Sequence, residues 1–279
     1  MKIGIVGLGL IGGSIGLRLQ ALNHTVFGVV NNTFNEKKAI ERKLATYVTT
    51  DLNVLKECSI IFLALPIRNL INPKKELIET IPQDAIITDV GSIKEPIINT
   101  WESVHRLFVG SHPMAGNEFK GVNAGNVNLF DNSKWIITKT TRTDEEAVKK
   151  LSKLIISMHC EIIYTTPKDH DKATSLISHL PIFLGSSLIQ TAYEDNDKVV
   201  KILSQKIASS GFADSSRVGG GNAELGRDLA EFNNENILNS IQRLKANLDD
   251  LEKIIIEKNW VKLYDKLEKS KDMRKKFLN

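Results

Sequence analysis

Cysteine is scarce in this chain. Two residues in 279, Cys58 and Cys160, form no CxxC pair and no disulfide framework, which excludes a secreted disulfide-stapled scaffold. Both read as small buried hydrophobes beside strands. No run of about 18 apolar residues is present, so no membrane span is predicted. The opening Met1–Gly7 carries one charged side chain and runs straight into a glycine cluster, unlike a secretory leader. The expectation is a reduced, soluble, cytoplasmic protein. An excess of one charge is also missing. Against 33 acidic residues there are 37 basic ones, a net +4. The pI of about 8.9 therefore rests on a small excess spread along the chain. No nucleic-acid partner is expected without a clustered basic face, and an anionic small substrate fits the balance equally well.

What is present is an ordinary globular composition, 42% hydrophobic and 25% charged. The length accommodates two domains of about 150 residues each. The first half alternates strand and helix. Strands are predicted over residues 2–6, 25–30, 58–65, 85–88, 107–109, 133–138 and 161–164. Helices are predicted over residues 10–22 and 144–158. A third is opened by a Thr33-Phe34-Asn35-Glu36 capping box and runs to about Ala45. Such alternation means βαβ units and a mostly parallel sheet. Near Thr165-Thr166-Pro167 the character changes. Residues 169–193, 198–209, 222–258 and 260–278 show helical spacing, as in Ile237, Ile241, Leu244, Leu248, Leu251 and Ile255. The predicted fold is α/β, with a Rossmann-type dinucleotide-binding domain over 1–165 and an all-helical domain over 166–279. Apolar faces on several long helices exceed what a domain of this size buries alone, so a homodimer through the helical domain is expected.

Gly7-Leu8-Gly9-Leu10-Ile11-Gly12 is a GxGxxG between the first predicted strand and helix. In that context Gly7 serves the tight turn, Gly9 lets the backbone approach a pyrophosphate, and Gly12 lets helix and strand pack closely. The backbone at Leu10 and Ile11 opens the helix and offers N–H groups to phosphate. An Asp or Glu ending the second strand would favour NAD by binding a ribose hydroxyl. The chain instead reads Val30-Asn31-Asn32-Thr33, with no acid before Glu36. Asn31, Asn32 and Thr33 are candidates to hold a 2′-phosphate, with Lys37 in reach, so NADP is the predicted cofactor.

A nicotinamide enzyme that oxidises an alcohol needs a base for the hydroxyl proton and donors for an anionic substrate. Six histidines are available. His112, in Gly110-Ser111-His112-Pro113, is predicted to follow a strand, in a loop at the carboxyl end of the sheet where such folds bind ligands. His179 lies in an apolar helical stretch just before Pro181, an expensive place for polarity. The others have structural readings. His24 and His105 sit in turns, His159 suits a helix C-terminus, and Asp169-His170-Asp171 reads as an acidic helix start. Lys94 reads as a polar residue opening a helix. No metal site is expected.

Five ordered motifs carry a resemblance over essentially the whole chain: GLGLIGGS from Gly7, TDVGSIK from Thr88, GSHPMAG from Gly110, ISHLP from Ile177, and SSGFADSSRVGGGN from Ser209. Together they resemble the prephenate/arogenate dehydrogenases of tyrosine biosynthesis, in the short cyanobacterial-type form. The resemblance implies oxidative decarboxylation of a cyclohexadienol, with hydride passing from ring C4 to nicotinamide and the ring carboxylate leaving as carbon dioxide. It implies His112 as acceptor of the 4-hydroxyl proton, Ser92 as a hydrogen-bonding neighbour, His179 as the second active-site histidine, and Arg217 as the binder of substrate carboxylate. A neutral imidazole, titrating around 6.5, suits the first role at neutral pH. A planar guanidinium matches a carboxylate as no lysine can.

Arogenate carries an amine where prephenate carries a keto oxygen, and Glu118 is a candidate to face it. The GGGN after Arg217 and the likeness to the cyanobacterial form point to arogenate. An aromatic that some relatives carry near Gly226 is absent here. Tyrosine feedback through an added regulatory domain is not expected. Two other classes compete. A β-hydroxyacid dehydrogenase or pyrroline carboxylate reductase shares the architecture, but the former needs a lysine on the long interdomain helix and Leu184–Gln190 has none. A non-catalytic NADP sensor would keep the glycine loop and lose the reacting groups.

Overall fold

A computed structural model describes residues 1–278 other than Glu118 and Asp195. The strand-bearing part runs β1 (Lys2–Val6), α1 (Leu10–Ala21), β2 (Thr25–Val29), α2 (Thr33–Glu41), β3 (Tyr47–Thr49), β4 (Ile60–Leu63), α3 (Ile67–Ile71), α4 (Lys75–Thr80), β5 (Ile86–Asp89), α5 (Glu95–Trp101), β6 (Phe108–Pro113), β7 (Lys134–Thr138), α6 (Glu145–Ser157) and β8 (Glu161–Thr165). Every later element is helical: α7 (Pro167–Thr174), α8 (Leu180–Tyr193), α9 (Lys198–Ile207), α10 (Ser210–Ser216), α11 (Ala223–Phe232), α12 (Asn234–Ile256) and α13 (Trp260–Leu278). A π-turn over Ser175–His179 joins α7 to α8. The chain forms two compact units, Met1–Asn233 and a second from Asn234 onward.

The eight strands form one sheet in the order β3-β2-β1-β4-β5-β6-β7-β8. All neighbours are parallel except β6 and β7. The order reverses between β1 and β4, which opens a crevice at their carboxyl ends. The central strands are largely apolar because helices cover both faces. Ile3, Ile5, Ile61, Phe62, Leu63 and Ile87 are buried. Cys58 and Cys160 are buried too, and burial pushes both thiols up to about 11.

Several local expectations are corrected. Asn32, not Thr33, caps α2, accepting from Asn35 N at 2.8 Å. The helix stops at Glu41, short of Ala45, and Lys43 turns into the left-handed region at φ 52°. His112 lies inside β6 rather than in a loop after it, because antiparallel pairing with Ile136 of β7 extends the strand to Pro113. The helical stretch 222–258 breaks at Asn233, whose side chain is drawn inside to hydrogen-bond. Strand β3 and helix α10 had no sequence signal strong enough to register.

Candidate active site

The glycine loop follows β1. Gly7 takes φ +95°, and a methyl there would lie 2.3 Å from the Ala64 carbonyl oxygen. One on Gly12 would lie 1.9 Å from the Gly7 oxygen, whereas one on Gly9 would meet nothing within 4 Å. Gly9 is the N-cap of α1 and no side chain caps it. The loop thus presents open space at Gly9 before uncapped N–H groups at Leu10 and Ile11, a geometry that fits a pyrophosphate. At the end of β2, the Asn31 side-chain oxygen accepts from Asn32 Nδ2 at 3.0 Å and Asn35 Nδ2 at 2.7 Å. Asn31, Asn32, Thr33 and Lys37 are all exposed, and no acid precedes Glu36.

Three strands along, β5 ends at Asp89, and the following turn carries Ser92 and Lys94. Lys94 and Asp89 are fully buried and paired. The Lys94 ammonium also donates to the Ser111 carbonyl oxygen at 2.6 Å. Asp89 accepts from Gly91 N at 2.8 Å and Ser111 N at 3.2 Å. Burial pushes Asp89 up and Lys94 down, and their mutual attraction opposes both shifts. A pair this deep holds only because further hydrogen bonds satisfy it. The Ser111 hydroxyl donates to the Asp89 carbonyl at 2.7 Å and accepts from Thr88 and from Trp135 Nε1. One residue on, His112 is 8% exposed.

His112 Nδ1 meets His170 Nε2 at 2.9 Å, and His170 Nδ1 meets Asp171 Oδ1 at 2.7 Å. Asp171 closes the circuit onto the Lys94 turn. Its Oδ1 accepts from Lys94 N at 2.6 Å and its Oδ2 from Glu95 N at 2.9 Å, capping α5 from another helix. Asn233 then ties the end of α11 to this cluster. Its Nδ2 donates to the Asp171 carbonyl at 2.9 Å and meets His179 Nδ1 at 3.2 Å. His179 Nε2 is buried and meets no partner at normal hydrogen-bond geometry among the described residues, although the Ser92 backbone lies near enough to pull on the ring.

Electrostatics keep these rings neutral. Burial, followed by the charges of His170, Lys94 and His179, holds His112 well below the usual imidazole range. Burial takes His170 down to about 2 and His179 down to about 4, the latter against a weaker upward pull from Asp171 and the Ser92 backbone. A neutral imidazole at the carboxyl end of a dinucleotide fold is equipped to accept a hydroxyl proton.

The structure therefore gathers His112, His179 and the Ser92 backbone in one place. Arg217 is exposed at the end of α10 and makes no ion pair or side-chain hydrogen bond with a described residue. Glu118 lies outside the described residues. His170, Asp171, Asp89 and Lys94 were missed as functional candidates. Asp171, Ser175 and His179 recur at intervals of four, and with His170 and Thr174 they form a buried polar face while Leu176 and Ile177 lie exposed. Such a polar stripe is the signal that locates His170 and Asp171.

The glycine loop, the crevice beside it and the neutral histidine are those of a nicotinamide-dinucleotide oxidoreductase. Comparison with known proteins narrows this. Residues 15–164 match the family model described as prephenate dehydrogenase, nucleotide-binding domain, and residues 166–269 match prephenate dehydrogenase, dimerization domain. The prephenate dehydrogenase of Bacillus subtilis (strain 168) is 30% identical over 279 residues, 97% of this chain and 74% of that one. The crystal structure of Synechocystis arogenate dehydrogenase is 38% identical at a TM-score of 0.84, covering 99% of this chain and 100% of that one. Prephenate dehydrogenase from A. aeolicus, in complex with hydroxyphenyl propionate and NAD+, is 27% identical at a TM-score of 0.91, covering 99% and 98%. The chain belongs to the prephenate dehydrogenase family and is a dehydrogenase of tyrosine biosynthesis.

Proposed function

We propose that this chain is an NADP-dependent arogenate dehydrogenase, oxidatively decarboxylating arogenate to tyrosine, and that it works as a cytoplasmic homodimer. The observation that carries the chemistry is the neutral His112, 8% exposed and anchored through His170 at the carboxyl end of the sheet. His112 takes the proton of the C4 hydroxyl as the C4 hydride leaves. Loss of the ring carboxylate as carbon dioxide then aromatises the ring. A bound nicotinamide supplies the hydride acceptor. Arg217, with no competing partner among the described residues, is assigned to a substrate carboxylate, and Glu118 to the amine that distinguishes arogenate from prephenate. Gly7, Gly9 and Gly12, with the backbone of Leu10 and Ile11, hold the pyrophosphate. Asn31, Asn32 and Thr33 take the 2′-phosphate.

The choice of arogenate is supported by end-to-end likeness to the Synechocystis enzyme. The choice of NADP is supported by the absence of an acid at the end of β2, where one would repel a 2′-phosphate. The division into a cofactor domain over 1–165 and a helical substrate and dimer domain over 166–279 is supported by the last strand ending at Thr165. The dimer is supported by the apolar residues that α9 leaves exposed, Val199, Val200, Ile202, Leu203 and Ile207. The deciding experiment measures initial rates of nicotinamide reduction with arogenate and prephenate, each with NADP and NAD. Turnover confined to arogenate with NADP is expected. Preference for prephenate would keep His112 as base and overturn the substrate assignment. No turnover with either would return the other dehydrogenases to consideration.

A further inference from the structure

Hydrogen-bond directions fix the proton positions on both active-site histidines, and the two come out opposite. Each Asp171 oxygen receives a backbone N–H, from Lys94 and from Glu95, at the N-terminus of α5. A carboxylate so held acts as acceptor only. His170 must then carry its proton on Nδ1, to donate to Asp171 at 2.7 Å, and must be bare at Nε2. A bare His170 Nε2, 2.9 Å from His112 Nδ1, requires a proton on that Nδ1. That leaves His112 Nε2 bare, and Nε2 makes no hydrogen bond with any described residue. At His179 the sense is reversed. The Asn233 amide nitrogen has only donors, and one of them already reaches the Asp171 carbonyl. His179 Nδ1, at 3.2 Å, is therefore the acceptor, and its proton sits on Nε2, which no described residue holds at normal hydrogen-bond geometry.

We propose that His170 and Asp171 are positioning residues that lock His112 as a proton acceptor at Nε2, while Asn233 locks His179 as a donor at Nε2. Resting on the dehydrogenase reading above, this gives the pair a division of labour toward the substrate. His112 accepts the hydroxyl proton, and the resulting imidazolium keeps its Nδ1 proton on His170. His179 offers a hydrogen bond to an oxygen and takes no proton. The opposite protonation set, with Asp171 neutral and donating to His170, would leave both His112 nitrogens unable to accept and would remove the base.

Nitrogen-15 NMR of the histidine side chains in the whole protein tests this without substrate. Two-bond couplings between ring nitrogens and carbon-bound protons distinguish the neutral tautomers, and His112→Gln and His179→Gln assign the signals. The expected spectrum has His112 protonated on Nδ1 and His179 on Nε2. A proton on His112 Nε2 in the unmodified protein would overturn the proposal, and this needs no variant to fold. In His170→Phe, His112 should lose its single tautomer, and kcat should fall about 10²- to 10⁴-fold, as when a catalytic histidine is left in the wrong tautomer, with KM little changed. His170→Gln, whose amide oxygen can accept from His112 Nδ1, should recover a large part of that loss. An unchanged tautomer with unchanged kcat in His170→Phe would sink the relay. Because the spectrum is independent of turnover, a failure of the substrate assignment leaves it standing, and a contrary spectrum leaves the substrate assignment standing.

Discussion

In β4, Ile60, Ile61, Phe62 and Leu63 are all buried, whereas α9 exposes Val199, Val200, Ile202, Leu203 and Ile207. The α7 stretch goes further. It buries His170, Asp171, Thr174, Ser175 and His179 and exposes Leu176 and Ile177. The sheet closes its own core. The helices after β8 turn polar groups inward to make a site and keep apolar faces outward. A helix that buries polarity must satisfy its groups, and the relay of carboxylate, imidazoles and amide around Asp171 does so except at His179 Nε2. A helix that exposes a row of aliphatic side chains needs another surface to cover it. The sheet region thus carries the glycine loop and His112, while the helices after β8 add the residues that hold His112 and an uncovered apolar face.

The contrast can be broken in graded steps. The largest effect is expected at His112→Gln, which removes the proposed base: kcat should drop by about 10² to 10⁴, while dinucleotide affinity, measured by fluorescence titration, stays put. Equal losses in both would indicate a damaged fold. In the sheet region, Lys94→Met leaves Asp89 buried without its counter-ion. Urea denaturation should show a loss of about 3 to 5 kcal/mol, and a loss under about 1 kcal/mol would mean the pair is not charged. In α9, Leu203→Asp puts a charge on the exposed row. Light scattering should show the proposed dimer weakened by about two orders of magnitude, with the thermal midpoint of the monomer unmoved.

Acid sharpens the comparison further. His179 is depressed to about 4 when folded, and His170 and His112 are depressed too. Unfolded histidines bind protons below about 6.5. The unfolded chain therefore holds more protons than the folded one once pH falls under that value, so stability is full above it and is lost as pH drops toward 4. His179 alone accounts for on the order of 3 kcal/mol across that window. Calorimetry from pH 7.5 to 4.5 should show the midpoint falling, and less so in His179→Asn. By the same shifts, the acid limb of kcat/KM should lie below the ordinary histidine range; a limb at or above 6.5 would contradict the buried setting of His112. The smallest effect is at the cofactor. Asn31→Asp should lower the NADP-to-NAD preference about fivefold, the value of about 1 kcal/mol between like charges in a wet site.

Local periodicity made the alternating half of this chain readable. Apolar runs of strand length at Lys2–Val6 and Ile60–Leu63, a GxGxxG between strand and helix, and an acid-capped amphipathic α6 each state their own structure. His112 could be picked out because it follows an apolar strand at the carboxyl end of the sheet, and His179 because a polar residue in an apolar helix is costly. Other features were decided elsewhere. Asp169-His170-Asp171 looks in one dimension like any acidic helix start. Its role exists only because α7 packs beside the turn after β5, bringing His170 within 2.9 Å of a side chain 58 positions earlier. Lys94 looks like a surface residue until Asp89 and the Ser111 carbonyl close over it. His112 was placed one element too late because antiparallel β7, which extends β6, is a partner that sequence spacing does not show. The sequence by itself determined the alternation of strand and helix, the glycine loop and the family. Tertiary structure alone decided which imidazole nitrogen carries a proton, because that depends on hydrogen-bond partners contributed by β6, α7 and the α11 terminus, which are distant along the chain.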